Sequence, residues 1–103
     1  MPILTLTLEN FEEELNASSL PLVVDFHAQW CAPCKMMAPV MEKLAADHPE
    51  IRFAECDVDE CYPIAAHFSV NAVPAFLRFE GEEVVSRTAG YQSGEELLAA
   101  LDF

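Results

Sequence analysis

Apolar residues alternate with threonine from Ile3 to Leu8, and this period of two predicts a first strand. Glu9-Asn10-Phe11-Glu12-Glu13-Glu14-Leu15 then reads as an acidic helix, and Pro21 marks a break. Leu22-Val23-Val24-Asp25-Phe26 is an apolar run interrupted by one carboxylate, the pattern of a parallel strand buried on both faces. That pattern puts Asp25 inside. From Ala32 to about His48 the apolar residues Met37, Val40, Met41, Leu44 and Ala45 recur at helical spacing, while Glu42, Lys43 and Asp47 fall on other faces. Pro39 lies within this long helix, where it lacks an N–H and crowds the carbonyl of Lys35, so a kink is expected.

Ile51 to Val58 reads as a third strand, and Asp59 as the N-cap of a short helix reaching about Phe68, with Pro63 blurring its start. Ala75–Phe79 and Glu83–Thr88 flank Gly81 as a hairpin. Ser93-Gly94-Glu95-Glu96 has the form of a capping box that opens a C-terminal helix. The order is βαβαβαββα. Alternating strands and helices followed by a hairpin imply an α/β fold with a mixed sheet between helices and right-handed crossovers in its parallel part. The 103 residues fit one domain, 1–103, with no internal repeat.

Composition narrows the function classes. Hydrophobic residues make up 52% and aromatic residues 10%, too many for intrinsic disorder. Eighteen acidic residues face five basic ones, and the net charge of -13 repels phosphate backbones and anionic lipid surfaces. Neither nucleic acid nor membrane is expected as a partner. The acidity serves either as a solvated surface or as steering toward basic partner patches. The N-terminal residues carry no basic stretch or cleavage pattern of a secretory signal, and no apolar stretch reaches the roughly 18 residues of a spanning helix. A cytoplasmic location is expected. Four cysteines in a reducing compartment point to catalysis or metal binding rather than to structural disulfides.

Cys31 and Cys34, in Trp30-Cys31-Ala32-Pro33-Cys34, stand where the apolar strand gives way to the long helix. Unpaired N–H groups and the positive end of the helix dipole favour a thiolate at Cys31, which is therefore the expected nucleophile. Cys34 lies one helical turn further on, on the same face and deeper, as the less exposed resolving thiol. Pro33 suits an early helical position, and Trp30 supplies an apolar wall. A zinc reading would add Cys56 and Cys61, but Cys56 falls in a buried strand and the spacing of five is looser than that of a zinc knuckle. Asp25 has two readings. It is either a structural carboxylate bonded to backbone or water, or a proton acceptor of raised pKa serving Cys34.

Val24-Asp25-Phe26, the Trp30 to Lys35 stretch, Pro39, Val73-Pro74 before a strand, Gly81 in the hairpin and Gly90 after the last strand together resemble the thioredoxin family over nearly the whole chain. The resemblance implies a thioredoxin fold, a central five-stranded mixed sheet flanked by four helices. It further implies that Pro74 is a cis-proline facing the two cysteines, with Val73 and its neighbours pairing to an extended substrate segment alongside Trp30, Ala32, Pro33 and Gly90. The implied activity is protein-disulfide reduction with no bound cofactor. Reducing equivalents would come from NADPH through a thioredoxin reductase, and the chain itself has no nucleotide-binding glycine motif. Implied clients are ribonucleotide reductase, peroxiredoxins and methionine sulfoxide reductases, met by a monomer. A thiol oxidant or isomerase and a non-catalytic binding subunit are the competing readings.

The departures are local. Ala32 stands where the family usually has Gly, His27 replaces a frequent aromatic, and Glu55 occupies a position where many relatives carry Lys, giving Asp25 an acidic neighbour with which it can titrate as a pair. Ala75 replaces Thr, and Tyr91 enlarges the side chain after Gly90. Cys56 reads as a small buried hydrophobe. Cys61 is either an inert thiol at a helix start or a site of regulatory oxidation or intermolecular pairing.

Overall fold

The computed structural model describes residues 3–103, and Met1 and Pro2 of the predicted domain lie outside the described residues. The elements follow the predicted order: β1 (Ile3–Thr5), α1 (Phe11–Leu15), β2 (Leu22–His27), α2 (Ala32–Asp47), β3 (Arg52–Asp57), α3 (Tyr62–His67), β4 (Ala75–Glu80), β5 (Glu83–Ala89) and α4 (Gly94–Ala100). One sheet has the strand order β1-β3-β2-β4-β5. β3 runs parallel to both β1 and β2, whereas β4 is antiparallel to β2 and to β5. No helix among the described residues is long and apolar enough to cross a membrane.

Alternation along β2 sorts its side chains onto two faces. Leu22, Val24 and Phe26 enter a cluster with Phe11, Leu15, Leu77 and Phe79. Val23 enters another with Met37, Met41, Leu44, Phe76, Leu97 and Leu101. Asp25, two residues after Val23, therefore lies on the face that α2 covers. Met37, Met41 and Leu44 are the buried stripe of α2, and the helix continues without interruption through Pro39.

Three boundaries differ from the expected ones by two residues or more, each because a side chain captures backbone groups. The first strand ends at Thr5 rather than Leu8, because Thr7 and Asn10 exchange bonds: the Thr7 N–H donates to Asn10 Oδ1 at 2.7 Å and the Asn10 N–H to Thr7 Oγ1 at 3.1 Å. Helix α1 consequently starts at Phe11. Asp59 is not the N-cap of α3, which starts only at Tyr62 after Cys61. Asp57 instead accepts from the N–H groups of Asp59 and Glu60 at 2.8 and 3.3 Å, so the turn before the helix is organised from the end of β3. The capping box of α4 forms as expected, with Ser93 Oγ accepting the Glu96 N–H and Glu96 Oε1 accepting the Ser93 N–H. Gly81 takes φ +63° in the hairpin turn, a left-handed conformation that suits glycine.

Four basic side chains are tied within the fold. Lys43 pairs with Asp47, and Arg52 with Glu14. Arg78 binds Glu80 and the carbonyls of Leu101 and Asp102, and Arg87 binds the carbonyls of Phe68 and Ser69.

Candidate active site

The turn between β2 and α2 places the two cysteines. Cys31 is the N-cap of α2, with extended backbone at φ -97° and ψ 107°, and its sulfur accepts the Cys34 N–H at 3.2 Å. Pro33 occupies the first helical turn, where its missing N–H leaves no donor unsatisfied. Cys31 and Cys34 are joined as a disulfide with their Cα atoms 5.3 Å apart, within the usual span of about 4.4–6.8 Å. The expected difference in exposure is absent: Cys31 is 4% and Cys34 5% exposed. Val73 and Val58 close over the pair, so the N-terminal thiol is covered as fully as the other. What separates the two is their surroundings. Cys31 faces the Val73 carbonyl oxygen at 3.7 Å, whereas Cys34 lines the cleft beneath α2.

Asp25 is the buried charged or polar residue of the site, 6% exposed, and its Oδ1 has no hydrogen-bond partner. Burial, followed by the neighbouring Glu55 carboxylate, pushes its pKa up from 3.8 to about 7. Asp25 and Glu55 stand opposite each other in the β2–β3 register, as the sequence departure implied. Glu55 Oε1 is also 3.3 Å from His27 Nε2. Asp25, His27, Cys34, Lys35, Glu42 and Glu55 line one cleft of about 520 Å³.

The loop before β4 reaches the cysteine pair through Val73. The Val73–Pro74 bond is cis, Pro74 is buried, and its carbonyl accepts the Gly90 N–H at 2.8 Å. Gly90 has φ +92°, where a side chain would be strained. Ala32 and Pro33 are exposed on the first turn of α2. Trp30 is 71% exposed, and its indole N–H donates to Asp59 Oδ2 at 2.9 Å. Trp30, Val58, Asp59, Tyr62, Asn71 and Val73 line a second groove beside the disulfide. Sequence reasoning missed this role of Asp59, because an acid before a helix reads as a cap until a distant indole is seen to compete for it.

Cys56 and Cys61 sit elsewhere, 0% and 3% exposed in the cluster on the far face of the sheet. Burial, then the adjacent Cys61, pushes the Cys56 thiol up. Cys61 Sγ is 3.8 Å from the Leu6 carbonyl oxygen. The zinc reading, which joins Cys56 and Cys61 to the active pair, is not met: the two pairs occupy separate clusters, and among the described residues no three His, Cys, Asp or Glu groups are placed to hold a metal. Intermolecular pairing through Cys61 would require it to leave its buried position.

The chain is similar to known proteins along most of its length. The family model described as Thioredoxin matches residues 2–102. The thioredoxin of Staphylococcus haemolyticus is 42% identical over 103 residues, covering 99% of this chain and 97% of that protein. The mitochondrial thioredoxin of Mus musculus is 38% identical over 93 residues, covering 89% of this chain, and the match spans 56% of that relative's length. Among solved structures, thioredoxin NaTrxh from Nicotiana alata superposes with a TM-score of 0.88 at 32% identity, covering 95% of this chain and 88% of that one. Fold, disulfide, cis-proline and sequence agree, and the chain belongs to the thioredoxin family.

Proposed function

We propose that this chain is a protein-disulfide reductase in which Cys31 is the nucleophile, Cys34 the resolving thiol and Asp25 the proton acceptor. The observation that carries the reading is the Cys31–Cys34 bridge at the N-terminus of α2, with the raised-pKa carboxyl of Asp25 lining the same cleft as Cys34. In the reduced form the Cys34 N–H and the helix end stabilise a Cys31 thiolate. This thiolate attacks one sulfur of a client disulfide, forming a mixed disulfide and expelling the other client sulfur as a thiolate. Asp25 then takes the Cys34 proton, and the Cys34 sulfur attacks Cys31 Sγ. The second client thiolate leaves, and two electrons have passed from the dithiol to the client. In this reading Val73, Pro74, Gly90, Trp30, Ala32 and Pro33 receive an extended client segment, supported by the groove beside the disulfide that Trp30 and Val73 line.

The same reading assigns recharging to NADPH through a thioredoxin reductase. Clients would be disulfide-bearing proteins of the peroxiredoxin, methionine sulfoxide reductase and ribonucleotide reductase type. It places a monomeric, single-domain protein in the cytoplasm, in electron transfer that maintains cell redox homeostasis. The test is insulin-disulfide reduction by dithiothreitol. Wild-type protein accelerates insulin precipitation, Cys31→Ser abolishes the acceleration, and Cys34→Ser accumulates a mixed disulfide visible on non-reducing gels. Full activity in Cys31→Ser would refute the assignment.

A further inference from the structure

Asp25 must lose the proton it takes from Cys34, and its surroundings offer few ways out. Its Oδ1 is buried without a protein partner, and the residue borders a cleft of about 520 Å³, room for several waters at about 30 Å³ each. The next carboxylate outward is Glu55, opposite Asp25 in register and 44% exposed. Against Glu55 stands His27, 24% exposed and 3.3 Å away. Imidazole is the side chain suited to taking up and releasing protons near neutrality.

The other groups around this line are few. From α2, Lys35 and Glu42 border the cleft along with Cys34 itself. From β1, the Thr5 hydroxyl donates to Glu55 Oε2 at 3.4 Å. From β3, Asp57 stands in register with His27, but its carboxylate is turned to the N–H groups of Asp59 and Glu60. Between the resolving thiol and solvent thus stand the buried acid Asp25 and, more exposed than it, the contacting pair of Glu55 and His27.

We propose that Glu55 and His27 form the outer part of a proton path that links Asp25, through water in the cleft, to solvent, and that His27 is the positioning residue that completes it. The inference rests on the disulfide-reductase reading above. In the resolving step the proton leaves Cys34 Sγ for Asp25, passes to a cleft water and the Glu55–His27 pair, and is released to bulk water. No electrons move along this path. His27 makes no hydrogen bond to either sulfur among the described residues, so its loss leaves the first attack by Cys31 intact and slows the second, by Cys34.

The experiment uses the reduced full chain mixed with excess 5,5′-dithiobis(2-nitrobenzoate), which releases one coloured thiolate on attack by Cys31 and a second on attack by Cys34. His27→Ala and His27→Gln are compared with wild type at neutral pH. Glutamine retains most of the volume and a hydrogen bond to Glu55 but carries no titrating nitrogen. We expect the second phase to slow about tenfold in both variants, less than the hundredfold or more typical of losing a direct proton-transfer group, with the first phase within about twofold of wild type. Added imidazole should restore the second phase of His27→Ala in proportion to its concentration. An unchanged second phase, equal slowing of both phases, or slowing without imidazole rescue would each overturn the proposal. Loss of the reductase reading has a different signature, a first phase that survives in Cys31→Ser.

Discussion

Replacing Asp25 by asparagine removes the ionisable group at nearly constant shape, and the structure gives the size and sign of the result. Burial and the Glu55 carboxylate raise the pKa from 3.8 to about 7. A carboxyl whose folded pKa exceeds its unfolded value holds an extra proton in the native state. The stability it contributes is fully present below pH 3.8 and is lost as the pH rises to about 7. At about 1.4 kcal/mol per tenfold change in proton affinity, the whole loss is roughly 4 kcal/mol above that range. By the same relation about half of it is already present at about pH 5.5, so roughly 2 kcal/mol separates about pH 5.5 from about pH 8.5. The assay is urea unfolding of the oxidised protein and of Asp25→Asn across that interval, which stays above the acid range where the chain loses the net charge that keeps it dispersed. The variant should be the more stable protein at alkaline pH, with an advantage that grows by roughly 2 kcal/mol along the series. Any fixed difference in amide hydrogen bonding shifts both ends equally and cancels. A stability difference that does not change with pH would show that Asp25 is ionised at ordinary acidity, and the proton-acceptor role would lose its physical basis.

Two further outcomes follow from the fold. Ser93→Ala removes one half of the reciprocal cap on α4, and should lower stability by about 1 kcal/mol in urea titration while leaving insulin reduction unchanged. Phe79→Ala empties a site that is 0% exposed and touches the rings of Phe11 and Phe68 at 6.0 and 5.2 Å. It should cost about 3–5 kcal/mol, read as a lower urea midpoint with an unchanged slope.

Where local spacing and burial act together, the sequence was a sufficient guide. The stripe of Met37, Met41 and Leu44 fixes α2 and its buried face, and Ser93 with Glu96 fixes the start of α4. The apolar run around Asp25 marks a buried carboxylate, and the residue is 6% exposed. The departure at Glu55 named its neighbour because strand register sets that contact. Errors arose where two side chains compete for one backbone or polar group. Thr7 and Asn10 cut β1 short by bonding each other's N–H groups, Asp57 organises the turn before α3 by accepting the N–H groups of Asp59 and Glu60, and Asp59 goes to Trp30, 29 residues away in sequence. Periodicity records which face a residue occupies, and it holds no information on which of several acids wins a donor. The shared burial of Cys31 and Cys34 has the same origin, since Val73 reaches Cys31 from a loop about 40 residues distant.

The tying up of the basic side chains shapes how the molecule looks from a distance. Lys43, Arg52 and Arg78 pair with carboxylates and Arg87 with backbone carbonyls, while the ammonium of exposed Lys35, beside the cleft, has no ion-pair or hydrogen-bond partner among the described residues. An approaching protein therefore meets a broadly negative body with one uncommitted positive point next to the disulfide. Such a charge distribution is a dipole whose positive end marks the reactive edge: the body as a whole draws in a basic-faced partner, while the disulfide edge turns toward an acidic spot on it, within a Debye length of about 8 Å and before any side chains meet.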